Sequence, residues 1–187
     1  MDTLRALLIQ RAARLQEWPA VTAPEWGTLL YPAFRNRVEG VALGLMAAPP
    51  RSVFSRGGGP WDWACEVACA ACGLTWDPAG TVDPEILGGT RFNGEEGRQA
   101  YHDCDPDPDA LFQGTLTQAG LLLRLRRLNG RLGWDHSTRV ALPLAELGSP
   151  AVRGALWSAL YAGAHAVLQP GPVPDFEPGA FGALLAD

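Results

Sequence analysis

Three cysteines within eight residues form the densest group of reactive side chains in this sequence. Cys65, Cys69 and Cys72 follow the spacing C-x3-C-x2-C, and on a helix these positions share one face. With Cys104 or His102 as a fourth ligand, the thiolate groups could hold a structural zinc ion, although such sites usually take paired ligands from turns. Zinc is therefore one metal that the sequence offers as a candidate.

Two further chemistries use cysteines at related spacings. Radical S-adenosylmethionine enzymes bind an iron–sulfur cluster with C-x3-C-x2-C, but they carry an aromatic residue before the third cysteine, where this chain has Ala71. Cys69 and Cys72 also form a C-x-x-C pair, as in thiol-redox sites. In such sites the first thiol lies at the start of a helix, where the helix dipole lowers its pKa. Here the pair falls late in the predicted helix, which weakens the redox interpretation.

The segment that positions these cysteines is predicted to be one helix over residues 60–73. Pro60 suits a first helical turn, and Gly73 is a typical residue after a helix end. Trp61 and the cysteines then share an apolar face, on which a free cysteine behaves as a small hydrophobic side chain. We favour this packing role, and keep a metal-binding (zinc) or thiol-redox protein as the alternative.

The size and charge of the chain exclude several classes of protein. Its 187 residues predict a single helical domain over 1–169, followed by a Pro/Gly-rich tether and a short C-terminal helix over 170–187. The net charge of −5 argues against strong non-specific binding of nucleic acid. No apolar run is long enough for a membrane span, and the N-terminus lacks the features of a signal peptide. We therefore expect a cytoplasmic protein with free thiols and no membrane partner.

Hydrophobic periodicity predicts an all-α fold with at least five sizeable helices. The exception is Asn129-Gly130, the strongest two-residue hairpin signal, which predicts a small β-hairpin near 122–142 with a short strand at 138–142. The predicted helical segments are 3–17, 24–32, 34–45, 60–73, 95–102, 110–124 and 150–168.

Several stretches together resemble the HD-type relaxase domain of the MobH class, the TraI-like protein of integrating conjugative elements. Residues 58–68 (GGPWDWACEVA) are similar to its G-G-x-x-x-H-x-x-E-V-A helix. Residues 119–124 (AGLLLR) are similar to its A-G-L-L-H-D stretch, and 130–134 (GRLGW) to its G-R-L-x-W hairpin. The similarity spans residues 1–135 and implies an HD-like helical bundle, with a role in a mobile-element or DNA-processing context.

This resemblance lacks the residues of the HD metal site. Trp63 stands where the helix has its histidine, and Leu123-Arg124 stands where the family has its His-Asp pair. Metal ligation there needs imidazoles and a carboxylate, and His102, His136 and His165 match none of these positions. The resemblance therefore implies a non-catalytic accessory protein that has no catalytic residues, needs no cofactor and acts through a protein partner.

Two features could still carry another function. Arg124, Arg126, Arg127 and Arg131 form a basic cluster that could contact the phosphates of a nucleic acid, although a solvated or acid-paired face is the simpler interpretation. Residues 77–109 form a long segment of little periodicity. Such segments are often functional, and this one could act as the lid of an enzyme.

Overall fold

The computed structural model of this protein describes residues 1–47, 52–54, 59–78 and 95–186, with the backbone alone at 52–54 and 95–96. In this part of the chain, six helices alternate with eight strands. The helices are α1 (Leu4–Arg14), α2 (Tyr31–Ala47), α3 (Pro60–Ala71), α4 (Glu95–Asp103), α5 (Gln118–Leu132) and α6 (Pro150–Ala162). The strands are β1 (Pro19–Ala23), β2 (Gly27–Leu30), β3 (Ser52–Phe54), β4 (Thr75–Asp77), β5 (Leu111–Gln113), β6 (Leu116–Thr117), β7 (Arg139–Pro143) and β8 (His165–Gln169). The fold is mixed α/β, so the prediction of an all-α, HD-like bundle is wrong.

The main sheet has four strands in the order β2-β1-β8-β7. Strands β1, β8 and β7 run parallel, and β2 pairs antiparallel with β1 at one edge. Ala166 of β8 lies between Val21 of β1 and Val140 of β7 in the register of the sheet. Because β7 and β8 are parallel, the chain crosses between them through α6, which forms a βαβ unit.

A second pair of parallel strands, β3 and β4, flanks in sequence the helix that carries the cysteines. Val53 pairs with Trp76, and α3 is the crossover between the two strands. The predicted helix over 60–73 is confirmed, because Pro60 occupies the first turn and Gly73 adopts a left-handed φ of 69° just after the end. The protein therefore contains two βαβ units, β3-α3-β4 and β7-α6-β8.

Aromatic side chains fill the core between the two crossover helices. The Trp63 ring of α3 meets the Trp157 ring of α6 edge-on, with centroids 5.0 Å apart. Phe34 of α2 stacks on Trp63 at 6.3 Å, and Phe112 of β5 meets Trp157 edge-on at 5.4 Å. Such pairs add about 0.5–1.5 kcal/mol each beyond the area they bury. The helices α3 and α6 are thus joined through large side chains.

The predicted hairpin near 122–142 is wrong, because α5 continues without a break to Leu132. Leu121, Leu125 and Leu128 are buried at helical spacing, so the apolar face passes beyond the Asn129-Gly130 pair. Gly133 ends the helix in the left-handed region, at a φ of 66°. The strand predicted at 138–142 exists as β7, but it pairs in parallel with β8 rather than within a hairpin.

Two other helix predictions extend over strands. Residues 24–26 form a turn and residues 27–30 form β2, while the helix predicted from 34 begins earlier, at Tyr31. The helix predicted to reach residue 168 ends at Ala162, because Gly163 adopts a φ of 82° and closes it. The apolar residues that follow belong to β8, whose interior is buried at three consecutive positions.

Of the remaining predictions about helices, the lid and domain boundaries, some are tested by the described residues and others are not. The short helix predicted at 95–102 is confirmed as α4, whereas residues 79–94 of the proposed lid lie outside the described residues. After β8, a single 3-10 turn covers Pro178–Ala180, and the apolar side chains of Phe181, Leu184 and Leu185 are buried against the body of the protein. The domain boundary at residue 169 stays a prediction. Within the described ranges, no helix combines the length and apolar character needed to cross a membrane.

Alanine substitutions at two glycines near the C-terminal end of α5 test whether this helix continues without a break. We expect Gly130→Ala to raise the free energy of unfolding by about 0.5–1 kcal/mol, because it lies inside the helix and an added Cβ meets nothing within 4 Å. Gly133→Ala should lower it by about 1 kcal/mol because of its left-handed φ. Urea unfolding measures both values. A loss of stability for Gly130→Ala would favour the hairpin instead.

Candidate functional site at the carboxyl ends of the parallel strands

Both crossover helices begin near the carboxyl ends of parallel strands. α3 follows β3 and starts at Pro60, and α6 follows β7 and starts at Pro150 after its cap, Ser149, whose hydroxyl accepts from the Val152 N–H at 3.2 Å. We call the first turns of these helices and the loop 144–149 the carboxyl edge. In open parallel sheets, ligands bind beyond this edge, so its side chains define the candidate site.

A buried ion pair joins the two helices next to the carboxyl edge. The Glu66 carboxylate of α3 accepts from Arg153 of α6 through two bonds, from Nε at 2.9 Å and from a terminal guanidinium nitrogen at 2.8 Å. The Trp157 indole N–H donates to the same carboxylate at 2.7 Å. The terminal guanidinium nitrogen also donates to the Gln113 side-chain oxygen at 2.6 Å. Both charged side chains are at most 4% exposed, so water takes little part in their pairing.

The geometry of this ion pair allows it to fix the positions of α3 and α6. A bidentate guanidinium–carboxylate pair is directional, so it sets the orientation of α3 relative to α6 as well as their contact. Three N–H groups already donate to the Glu66 carboxylate, which makes it a poor general base. We therefore assign Glu66 and Arg153 the task of holding the carboxyl edge in place.

A narrow cavity lies beside the ion pair. It has space for about one water molecule, and Asp62, Trp76 and Gly148 line it together with the paired side chains. The indole N–H of Trp76 is buried and has no hydrogen-bond acceptor among the described residues. A buried donor of this kind is usually satisfied by ordered water. The cavity is too small for a substrate, so any ligand of the carboxyl edge would lie outside it.

The sequence-predicted cysteines are buried packing residues. The thiol of Cys69 donates to the Leu74 carbonyl at 3.1 Å, and that of Cys72 donates to the Ala42 carbonyl at 3.8 Å. Cys65 is fully buried on α3, and the partly buried Cys104 donates to the Cys72 carbonyl at 3.4 Å. Each of these three donor thiols thus has a backbone acceptor, as expected for small side chains in a core.

Burial also makes these thiols poor metal ligands and nucleophiles. Desolvation raises the pKa of Cys72 to about 12, and it raises the pKa of Cys65, Cys69 and Cys104 as well. The thiolate form that zinc binding and redox chemistry require is therefore disfavoured. In the described ranges, no three His, Cys, Asp or Glu side chains are grouped so that they could hold a metal ion, and His102 is exposed on α4. The geometry gives no support to the zinc or redox alternative.

The positions that would correspond to an HD metal site do not converge. The Trp63 side chain is 3% exposed and lies in the aromatic core, whereas the Leu123 side chain is 49% exposed on the outer face of α5. Next to it, a guanidinium N–H of Arg124 donates to the Leu184 carbonyl at 3.0 Å and to the Ala186 carbonyl. Arg126, Arg127 and Arg131 are exposed on α5, and their contact with phosphates stays a prediction.

The Glu66–Arg153 pair gives a test by double substitution. We expect Glu66→Leu and Arg153→Met each to lower the free energy of unfolding by about 3–5 kcal/mol, because each leaves one buried charge unpaired. The double variant should lose less than either single variant, since it leaves no buried charge. Chemical denaturation of all four proteins measures the coupling, and additive losses would contradict a direct pair.

The raised thiol pKa values predict how stability depends on pH. Above about pH 8.5 the unfolded chain loses thiol protons that the folded protein keeps, so the stabilisation present at lower pH is lost as the pH rises towards the folded pKa of Cys72, about 12. Each such thiol steepens the loss by about 1.4 kcal/mol per pH unit. Unfolding of wild type and Cys72→Ala between pH 9 and 11, as an approximate working range, should show the smaller slope in the variant. Equal slopes would contradict the burial of this thiol.

Comparison with known proteins places this geometry in a recognised fold. No family model and no curated protein matches the sequence. Among solved structures, the N-terminal subdomain of NpsA from Klebsiella oxytoca has a TM-score of 0.63 at 15% identity, covering 94% of this chain and 55% of that one. The N-terminal domain of FACL13 from Mycobacterium tuberculosis has a TM-score of 0.65 at 11% identity, covering 92% and 58%. O-succinylbenzoate coenzyme A synthetase (MenE) from Bacillus subtilis, solved in complex with AMP, has a TM-score of 0.64 at 14% identity, covering 89% and 56%.

These structures correct the family resemblance. The fold is the one shared with parts of NpsA, FACL13 and MenE, so the resemblance to a conjugative-element HD relaxase is wrong, and the non-catalytic accessory function inferred from it is not supported. The stretches that carry the resemblance are only 5 to 11 residues long. Two of them, 119–124 and 130–134, belong to the single helix α5 and the residues just after it. The chain spans little more than half the length of the solved structures, and the identities of 11–15% establish the fold alone.

Proposed function

We propose that this chain is an adenylate-binding module of the kind found in enzymes that activate carboxylic acids as acyl adenylates. The observation that carries the proposal is the likeness of 89–94% of the chain to parts of NpsA, FACL13 and MenE. MenE was solved with AMP, and the NpsA subdomain with 3-hydroxyanthranilyl-AMSN. In adenylate formation, a carboxylate oxygen bonds to the α-phosphorus of ATP and the bond from that phosphorus to pyrophosphate breaks.

The carboxyl edge is the place where this chain would meet the nucleotide. It contains the loop 144–149 after β7 and the first turn of α6, where helix N–H groups and the helix dipole favour a negatively charged group. The sequence has no glycine-rich phosphate loop of the Walker or dinucleotide type. Because the charge of Arg153 is paired with Glu66, the helix N–H groups and the helix dipole are the features among the described residues that favour a phosphate there. We place the phosphate of the adenylate beside the loop 144–149.

The buried ion pair supports this proposal by fixing the edge before a ligand arrives. Arg153 lies in the first turn of α6 and its guanidinium is held by Glu66 and Gln113, so α6 cannot rotate without breaking three hydrogen bonds. A binding site whose residues are already ordered before the ligand arrives loses less conformational entropy on binding. Because the chain spans about half of the solved structures, the proposal concerns binding of the adenylate rather than the complete reaction.

Binding of AMP tests the proposal directly. At a concentration of about one hundred times its Kd, AMP should stabilise the protein by about 2.7 kcal/mol, which corresponds to a rise in Tm of about 5–10 °C. GMP serves as the matched nucleotide control, and differential scanning fluorimetry or titration calorimetry measures the effect. An equal response to both nucleotides, or no response to AMP at millimolar concentration, would contradict adenylate binding.

A pair of glycine variants locates the site. An added side chain at Gly148 meets nothing within 4 Å, so Gly148→Leu should leave the fold intact and obstruct the carboxyl edge. Gly130→Leu adds the same group in an equally open position of α5, whose C-terminal end leads into the amino end of β7, away from that edge. We expect only Gly148→Leu to weaken AMP binding, by about tenfold or more. Loss of binding in both variants would argue for a different site.

A further inference from the structure

Three arginines on one stripe of α5 line a groove against the C-terminal segment. Arg124, Arg127 and Arg131 form its basic wall, and Leu128, Ala183 and Leu184 provide apolar surface within it. The groove has a volume of about 200 Å³ and is open to solvent. We call it the α5 groove. The spacing of its arginines, i, i+3 and i+7, places them in one row along the helix.

The positive charge of the α5 groove is not neutralised within the described part of the chain. Arg124 donates to the carbonyls of Leu184 and Ala186 and so holds the far wall in place. Arg127 and Arg131 are exposed, and none of the ion pairs between described residues involves them. Arginines three and four positions apart repel each other by a few tenths of a kcal/mol per pair. An anionic partner would relieve this repulsion.

The dimensions of the row fit a helix of acidic character. From Arg124 to Arg131 the row rises about 10 Å along the axis of α5. A partner helix with acidic residues at i, i+3 or i+4, and i+7 presents its carboxylates at the same repeat, as at the charged flanks of coiled coils. Ala183 is the exposed apolar side chain of the groove, since Leu128 and Leu184 are only 4% and 5% exposed, and it can contact a small apolar residue of the partner helix between those carboxylates. We propose that the α5 groove binds an acidic amphipathic helix of a partner protein.

The observations favour a protein over a nucleic acid or a membrane. The chain carries a net charge of −5, and a row of three arginines, with Arg126 beside it, neutralises few phosphates. The nearby Trp134 packs on Phe181, with ring centroids 5.4 Å apart, and so does not offer a free stacking surface for bases. Leu123 is the exposed large apolar side chain described on α5, which is too little for insertion into a bilayer.

The α5 groove is separate from the carboxyl edge. The C-terminal end of α5, with Arg131, leads into the amino end of β7, whereas the proposed adenylate site lies beyond the carboxyl end of that strand. Binding of a partner helix therefore does not depend on the proposed adenylate function. AMP binding measured on the same groove variants separates the two, because substitutions in the α5 groove should leave the response to AMP unchanged.

Fluorescence anisotropy with a defined probe tests this inference on the full chain. The probe is a labelled helical peptide made of Leu-Glu-Glu-Ala-Leu-Glu-Glu repeats. We expect saturable binding at about 50 mM salt that weakens about tenfold or more at about 500 mM, because screening shortens the reach of surface charges. Arg127→Glu with Arg131→Glu should weaken binding about tenfold or more. The control, Arg14→Glu with Arg98→Glu, changes the net charge equally at exposed arginines on α1 and α4 and should bind like wild type.

Three outcomes would overturn the proposal. The first is an absence of peptide binding at low salt, and the second is equal weakening in the groove and control variants. The third is tighter binding of a DNA duplex, or of vesicles containing phosphatidylserine, than of the peptide. Circular dichroism checks that each variant is folded, and Arg127→Gln with Arg131→Gln, which removes charge without reversing it, should give an intermediate affinity.

Discussion

The fold depends on one buried ion pair between helices of two different βαβ units. Glu66 lies on the crossover helix of a parallel pair whose strands are three residues long, and strands of that length are marginal on their own. Arg153 lies on the crossover helix of the main sheet. Both charges are buried. If α3 and α6 moved apart, each charge would lose its partner, either within the apolar core or on newly exposed core surface. The pair therefore couples the two units into one folding unit, and the Trp63–Trp157 contact completes the same interface.

The helices could be predicted from sequence because apolar spacing, prolines and glycines all mark them. Pro60 and Gly73 delimit α3, and Ser149-Pro150 marks the start of α6. The strands are hard to predict from sequence, because the strands of a parallel sheet are apolar runs without alternation. In β8, the residues Ala166, Val167 and Leu168 are buried in succession and continue the apolar pattern of α6. Only Gly163 and Ala164 separate the two elements, and one glycine is a weak boundary within an apolar run.

The candidate site could be predicted only in part, because its two charged members are distant in the chain. Glu66 and Arg153 are 87 positions apart, and no motif includes both. A usable signal did exist, because each is a charged residue on a helix face that is otherwise apolar. Trp157 follows Arg153 by four positions and Cys69 follows Glu66 by three, so each charged residue shares a predicted helix face with an apolar one. Charged side chains are rarely buried without a partner, so two of opposite sign on buried faces can be matched. The spacing of the cysteines suggests a metal or redox site, but spacing alone does not reveal that burial disfavours their thiolates.

The position of Arg153 in α6 indicates that this ion pair orients the two helices rather than adding to the net stability of the fold. A cation in the first turn of a helix faces the positive end of the helix dipole, which costs about 0.3–1 kcal/mol, and burial of the guanidinium adds to that cost. An apolar side chain would avoid both costs and could pack against Trp157. Glu66 offsets the cost by bringing a carboxylate from α3, and in doing so it sets the angle and the register of the two helices. The result is a fixed N-terminal end of α6 at the carboxyl edge, because hydrogen bonds of set direction add to the apolar packing between the helices. Orientation of that edge, rather than net stability, is the property that this ion pair provides.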